Sequence, residues 1–329
     1  MRLVFFGSGS FGLPTLRHLA TRHDISAVIT QPDKPAGRGG SLSPTPIGQW
    51  AAANLSAIPL LKPAKVNDPA VVAQIRGYES DAWVVIAFGQ KLSRSLLDGR
   101  FAINLHASLL PRWRGAAPIN AAILAGDAES GNSVITLAER MDAGLILGTT
   151  TRPIEPLMTA GELHDLLAED GPSLVDSILA QHAAGSLSPR AQDESLVTIA
   201  SKLSRADDHV DFTQRADFVR RHVHALTPWP GVTIAIVPPA APTSTPVQAA
   251  KPIQIKLLRV QPVPGIHQQD PGTLLDIPAG VIACAHHSRL KLLEVQPPGR
   301  NPMSWEDFMR GAGRSIAPDS RLVPARELL

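Results

Sequence analysis

Over the first 151 residues, short apolar runs alternate with helical stretches, and this alternation constrains the fold more than anything else in the chain. Residues 3–6, 25–30, 82–87 and 101–105 have strand length and are almost wholly apolar, the pattern of strands covered on both faces. Between them, Leu13, Leu16, Leu19 and Ala20 recur at helical spacing. Thr45 and Pro46 supply an N-cap and first position for a helix over 47–54, and Asp68-Pro69 opens another that runs to Tyr78. A short strand near Leu60, a helix over 117–124 and strands over 133–138 and 145–151 complete the alternation. The expectation is an α/β fold, a Rossmann-like, mostly parallel sheet covered by helices. A long helical region follows over 159–184, with a break expected at Gly171-Pro172.

The composition then shifts. Residues 185–207 are polar and irregular, which suits a linker crossing the surface of the first domain. Beyond a helix over 216–225, apolar runs at 232–237, 253–260, 280–284 and 290–293 are separated by Pro- and Gly-rich turns, the pattern of a small β-barrel. The expected division is a first domain over 1–184, a linker over 185–207 and a barrel domain over 208–329. Residues 238–246 add a proline-rich insertion, read as a surface loop.

No apolar run reaches the roughly 18–20 residues of a membrane span, and the start reads as a strand rather than a signal peptide. A single cysteine, Cys284, excludes an internal disulfide and a thiolate zinc site, and its apolar neighbours place it in a buried strand. A cytoplasmic, monomeric protein without metal or membrane is the expectation. Net charge is +2, with 13 Lys/Arg against 10 Asp/Glu from Asp208 onward and 18 against 19 before it. The mildly basic C-terminal half is compatible with nucleic acid.

Residues 7–12, Gly-Ser-Gly-Ser-Phe-Gly, match the dinucleotide fingerprint literally. The supporting acid is misplaced, however, because the second strand ends in Gln31-Pro32 and Asp33 lies beyond the proline. We read the glycines as a tight strand-to-helix turn. Residues 31–46 hold four prolines and three glycines, which predicts an exposed irregular loop with Lys34 and Arg38 at its cationic centre.

The chemistry concentrates in residues 102–115. Period-2 alternation puts Asn104 and His106 on one side of a strand, at its carboxyl end, where open α/β sheets bind ligands. A loop held by Pro111 and Gly115 follows, with Arg112 and Arg114 around Trp113. Asp142 lies just after another strand. A carboxylate orients an imidazole, and an amide N–H stabilises a developing oxyanion. Asn, His and Asp without a Ser or Cys nucleophile point to a transfer in which the substrate supplies the nucleophile.

Asn-x-His followed by Ser-Leu-Leu-Pro-Arg-Trp-Arg-Gly-Ala-Ala-Pro-Ile, with Asp142 in Met-Asp-x-Gly, resembles the folate-dependent formyltransferases. The resemblance runs nearly end to end, through residues 30–39, 193–200, 228–231 and 271–273. It implies that Asn104, His106 and Asp142 form the catalytic trio. Ser108, Leu109, Leu110 and Pro111 then form the folate-binding segment, and Phe88, Gly89 and Gln90 border the folate site. The implied reaction moves the formyl group of 10-formyltetrahydrofolate to a primary amine. The barrel is implied to be OB-like. The loop with Lys34 and Arg38 and the Pro-Trp-Pro entry to the second domain favour initiator methionyl-tRNA as acceptor. A small amine, such as an amino-sugar nucleotide or glycinamide ribonucleotide, is the alternative, and a non-catalytic folate- or nucleotide-binding module is a different class. The chain departs from the family at residues 146–149, Ile-Leu-Gly-Thr, where polar and acidic residues are usual.

Overall fold

The computed structural model describes residues 1–36, 41–239 and 252–328. They form two compact units, the first from residues 1–118, 129–153 and 164–200, the second from 119–128, 154–163 and 201–329. The second unit thus takes two segments from inside the N-terminal half. Asn120 Nδ2 donates to the Ala225 carbonyl at 2.6 Å, and the Gly161 N–H donates to the Thr227 carbonyl at 3.0 Å.

The strands of the first unit are β1 (Arg2–Gly7), β2 (Asp24–Ile29), β3 (Lys34–Ala36), β4 (Ser41–Ser43), β5 (Leu60–Leu61), β6 (Ala82–Ile86), β7 (Ala102–His106), β8 (Arg114–Gly115), β9 (Glu129–Thr136), β10 (Ile146–Pro153) and β11 (Ile199–Ala200). Seven make the main sheet, in the order β10-β9-β7-β6-β1-β2-β5. The run from β7 to β5 is parallel, and β9 and β10 add an antiparallel edge. Leu3, Val4, Phe5 and Phe6 are fully buried, as a strand covered on both faces requires. Trp83, Phe6 and Phe88 pack together in the core on one side of this sheet. The chain leaves β1 toward β2 and later returns to β6, so the strand order reverses between β1 and β6.

Helices α1 (Leu13–Arg22), α2 (Pro46–Asn54), α3 (Pro69–Arg76) and α4 (Arg94–Leu97) alternate with the strands, α5 (Pro118–Ala125) falls almost wholly in the second unit, and α6 (Ala160–Ala183) follows β10. Thr45 caps α2 as expected, its Oγ1 accepting from the Gly48 N–H at 2.9 Å. Three local expectations are corrected. Helix α6 runs through Pro172 without a break. Gly171 lies where a Cβ would come within 2.7 Å of Leu105, so a small residue lets this turn pack tightly. The expected irregular loop at 31–46 contains a hairpin, with Lys34 paired to Ser43. β9 begins at Glu129 rather than 133, pairing with β10 from Glu129 onward, and its buried Asn132 finds a backbone partner, Nδ2 donating to the Leu167 carbonyl at 2.8 Å.

The second unit contains α7 (Ala216–Ala225), β12 (Val232–Val237), β13 (Ile253–Val263), β14 (Leu274–Asp276), β15 (Val281–Ala283), β16 (Arg289–Gln296), β17 (Met303–Ser304), α8 (Trp305–Arg310) and β18 (Arg321–Pro324). Its antiparallel sheet runs β14-β15-β16-β13-β12-β18, and a bridge between Thr273 and Arg321 brings the two ends nearly to closure. This is the expected barrel-like element. Val219, Val223, Trp305 and Phe308 fill its core together with Cys284, whose burial pushes the thiol up to about 12. Residues 240–246 of the proline-rich insertion lie outside the described residues.

Candidate active site

The carboxyl ends of the parallel strands are knotted together. Ser8 Oγ donates to the Phe88 carbonyl at 3.0 Å and accepts from the Gln31 N–H at 3.1 Å, and Gln31 Nε2 donates to the same carbonyl at 3.1 Å. The glycines of 7–12 serve this turn. A Cβ on Gly7 would stand 2.6 Å from the Phe5 ring, and one on Gly12 would stand 3.1 Å from Ile86 Cβ. Asp33, the candidate ribose acid, is instead ion-paired to Lys62 at 2.6 Å. The turn reading fits these contacts better than a dinucleotide site.

Beside this knot, Asn104 and His106 stand on β7 with Asn104 partly exposed and His106 at 6% exposure. His106 Nε2–H donates to the Trp113 carbonyl at 2.8 Å, which fixes the tautomer at that nitrogen because a carbonyl only accepts. Nδ1 faces Asp142 Oδ2 at 3.6 Å. Asp142 is held in turn, its Oδ2 accepting from the Gly115 N–H at 2.9 Å. Both Trp113 (φ +63°) and Asp142 (φ +53°) lie in the left-handed region, where non-glycine residues are uncommon and usually held by their surroundings. Asp142 and His106 are therefore brought together, and Asn104 shares the face of β7 with His106.

Other expected site residues are placed differently. Ser108 is fully buried, donating to the Arg112 carbonyl at 2.7 Å, and Leu110 packs on Ile135 and Ile146. Leu109 and Pro111 remain partly exposed. The Phe88 ring belongs to the core, and the Gln90 side chain is used at both ends, on the Val66 N–H and the Pro63 carbonyl. Gly89 is exposed with φ +85°, and a Cβ there would meet only the Gln31 side chain, in ordinary contact at 3.8 Å. Lys34 is exposed on β3; Arg38 lies outside the described residues. Arg114 is a buried latch rather than a free donor, ion-paired to Glu194 at 2.9 Å.

The Glu194 side of that latch belongs to residues 185–207, the polar stretch expected to be a linker crossing the surface of the first domain. β11 pairs in parallel with β8, the Trp113 N–H donates to Thr198 Oγ1 at 2.9 Å, and Gln192 reaches the turn at Asp142. The hydrogen bond from Arg114, aided by the nearby Arg140, holds the Glu194 carboxyl below its ordinary range. None of Gln192, Glu194 and Thr198 was singled out from the sequence; the family-like run over 193–200 contains Glu194 and Thr198, whereas Gln192 lies just before it.

The family model described as formyl transferase matches residues 1–179, and that described as the formyl transferase C-terminal domain matches 202–313. The chain belongs to the formyl transferase family. It is 41% identical to the methionyl-tRNA formyltransferase of Afipia carboxidovorans over 314 residues, covering 94% of this chain and 96% of that one. The methionyl-tRNA formyltransferase of Bradyrhizobium sp. is 39% identical, covering 98% and 99%. Among solved structures, the sugar 3N-formyl transferase WlaRD, seen with dTDP and 5-N-formyl-THF, superposes with a TM-score of 0.66 at 14% identity, covering 92% of this chain and 99% of that one. The N-formyltransferase of Helicobacter canadensis gives 0.63 at 14% identity, covering 90% and 98%. This formyl transferase fold is thus shared at low identity, while the curated relatives match nearly end to end.

Proposed function

We propose that the chain transfers the formyl group of 10-formyltetrahydrofolate to the amino group of methionyl initiator tRNA. The observation that carries the chemistry is the His106–Asp142 pair beside Asn104 at the end of β7. The acceptor rests on the near full-length similarity to methionyl-tRNA formyltransferases.

A planar, polar ligand such as a folate needs a mostly apolar lining beside the groups that react with it. Partly exposed Leu109 and Pro111, the exposed Gly89, and Met141 and Leu145 at 67% and 43% exposure on either side of Asp142 supply such a lining. Those residues would hold the donor, which when bound presents a formyl group on a nitrogen leaving group. Asn104 Nδ2 donates to the formyl oxygen as negative charge develops there. His106 moves its Nε2–H from the Trp113 carbonyl to that oxygen, exchanging one acceptor for another. Asp142, aimed by Gly115, supports the charged imidazole and accepts the proton that leaves the attacking amine, directly or through water; as the oxyanion collapses and the bond from the formyl carbon to the folate nitrogen breaks, that proton passes to the departing nitrogen. Lys34 and Arg38 would contact phosphates at the acceptor end, and residues 208–329 would carry the remaining tRNA contacts.

The test is substitution of each trio member by alanine. Asn104→Ala, His106→Ala and Asp142→Ala are each expected to lower kcat by at least about a hundredfold, since one lost oxyanion donor costs about 2.7–4 kcal/mol in the barrier. KM for folate should change far less. Near-normal turnover in Asp142→Ala would remove the trio from the mechanism.

A further inference from the structure

Asp142 occupies a backbone conformation that a non-glycine residue adopts only at a cost, yet its carboxylate must point at His106. The Gly115 N–H fixes the carboxylate end of this residue. What fixes its backbone end is a single side chain from the strap at residues 190–200. Gln192 Nε2 donates one hydrogen to the Asp142 carbonyl at 2.7 Å and the other to the Gly144 carbonyl at 2.8 Å. Its Oε1 accepts from Arg114 Nε at 2.9 Å, and Arg114 is braced by Glu194. Both amide hydrogens and the amide oxygen are thereby used, and a flipped amide would set its NH₂ against the guanidinium.

The strap cannot drift away from the turn. Upstream of Gln192, Arg190 and Ile146 exchange backbone hydrogen bonds at 2.8 and 2.9 Å. Downstream, β11 pairs with β8, and the Arg114 and Ala116 N–H groups donate to the Thr198 and Ala200 carbonyls, both at 2.9 Å. Gly144 completes the fit, since any Cβ there would lie 1.7 Å from the Thr136 carbonyl oxygen.

We infer that Gln192 is a positioning residue for formyl transfer, holding Asp142 in its left-handed turn so that the carboxylate meets His106 Nδ1. It touches no reacting atom and acts only through Asp142. The inference rests on Asp142 having the role given above, and the test separates the two.

The experiment is a double-mutant cycle on formylation of methionyl-tRNA, with Gln192→Leu and Gln192→Glu each made in the wild-type and Asp142→Ala backgrounds. Glutamate keeps the acceptor for Arg114 and lacks the N–H donors. In the wild-type background both variants should lower kcat by about ten- to a hundredfold, the scale of a misplacement near 1 Å, with thermal melting close to wild type. In the Asp142→Ala background the same changes should alter the rate less than about twofold, because the residue they position is gone. Wild-type rates in both Gln192 variants would overturn the inference. So would an equal fractional loss in the Asp142→Ala background, or loss of the fold in both variants, either of which makes the side chain structural. Failure of the underlying reading shows separately, as near-normal turnover in Asp142→Ala alone.

Discussion

Gly115 answers to two constraints at once. Its φ of +126° disfavours any side chain, and a Cβ would stand 2.4 Å from the Ala200 carbonyl oxygen, in the pairing of β8 with β11. Its N–H is also the group that aims Asp142. Gly99 offers a comparison, with φ +67° and nothing within 4 Å of the added Cβ. Gly99→Ala should cost about 1–2 kcal/mol of stability, the left-handed term alone, and leave turnover intact. Gly115→Ala should cost more and lower kcat at least tenfold, because the strap and the Asp142 contact shift together. Urea unfolding and formylation rates of the two variants, measured side by side, check both parts. Equal turnover in the two would mean that the Gly115 contact is not needed. The placement of Asn104 and His106 on one face of β7 was legible in the sequence, because strand alternation leaves a local trace. Gln192 was not, since its role depends on a contact 50 residues away in sequence.

Among the elements, those with the clearest apolar pattern were read most faithfully: β12 was expected over 232–237 and α7 over 216–225. Elements held by polar side chains were misjudged. The start of β9 and the β8–β11 pair consist largely of residues whose side chains or backbones bond across long sequence separations, so hydropathy carries no trace of them. Helix α7 brings a buried histidine against the barrel. His224 is fully buried, its Nε2 accepts from the Val260 N–H at 3.1 Å, and burial, with Arg220 and Arg259 nearby, pushes it down to about 4. Unfolded, the same ring titrates near 6.5 and takes up a proton that the folded state refuses. The unfolded state therefore binds more protons below that pH, and stability falls as the pH drops from 6.5 toward 4, by about 3 kcal/mol in all. His224→Gln keeps an acceptor for Val260 and does not titrate. Its unfolding free energy should lose this share of the acid dependence, measured by urea unfolding at pH 7, 5.5 and 4. Parallel pH curves for the two proteins would contradict the assignment.

At the scale of the whole molecule, the chain's order and its spatial grouping differ. Composition points to domains over 1–184 and 208–329 joined by a linker, whereas residues 119–128 and 154–163 group with the second unit. Two links show why. Arg259 is ion-paired to Glu162 at 2.6 Å, and Arg221 NH1 donates to the Ala125 carbonyl at 2.7 Å. No periodicity announces either contact, since both join surface side chains to helix ends. Among the described residues, no helix is long and apolar enough to cross a membrane. The same trio of side chains would serve an amine on a sugar or on a tRNA, so the acceptor is what most needs measuring. The decisive measurement gives labelled 10-formyltetrahydrofolate to the full chain with charged initiator methionyl-tRNA, free methionine and a nucleotide-linked amino sugar, in parallel. Formyl transfer to methionyl-tRNA is expected, with kcat/KM for the other two lower by at least about a thousandfold, and loss of that transfer in Asp142→Ala. Equal or faster transfer to the amino sugar, or donor binding with no transfer to any acceptor, would contradict the proposed function.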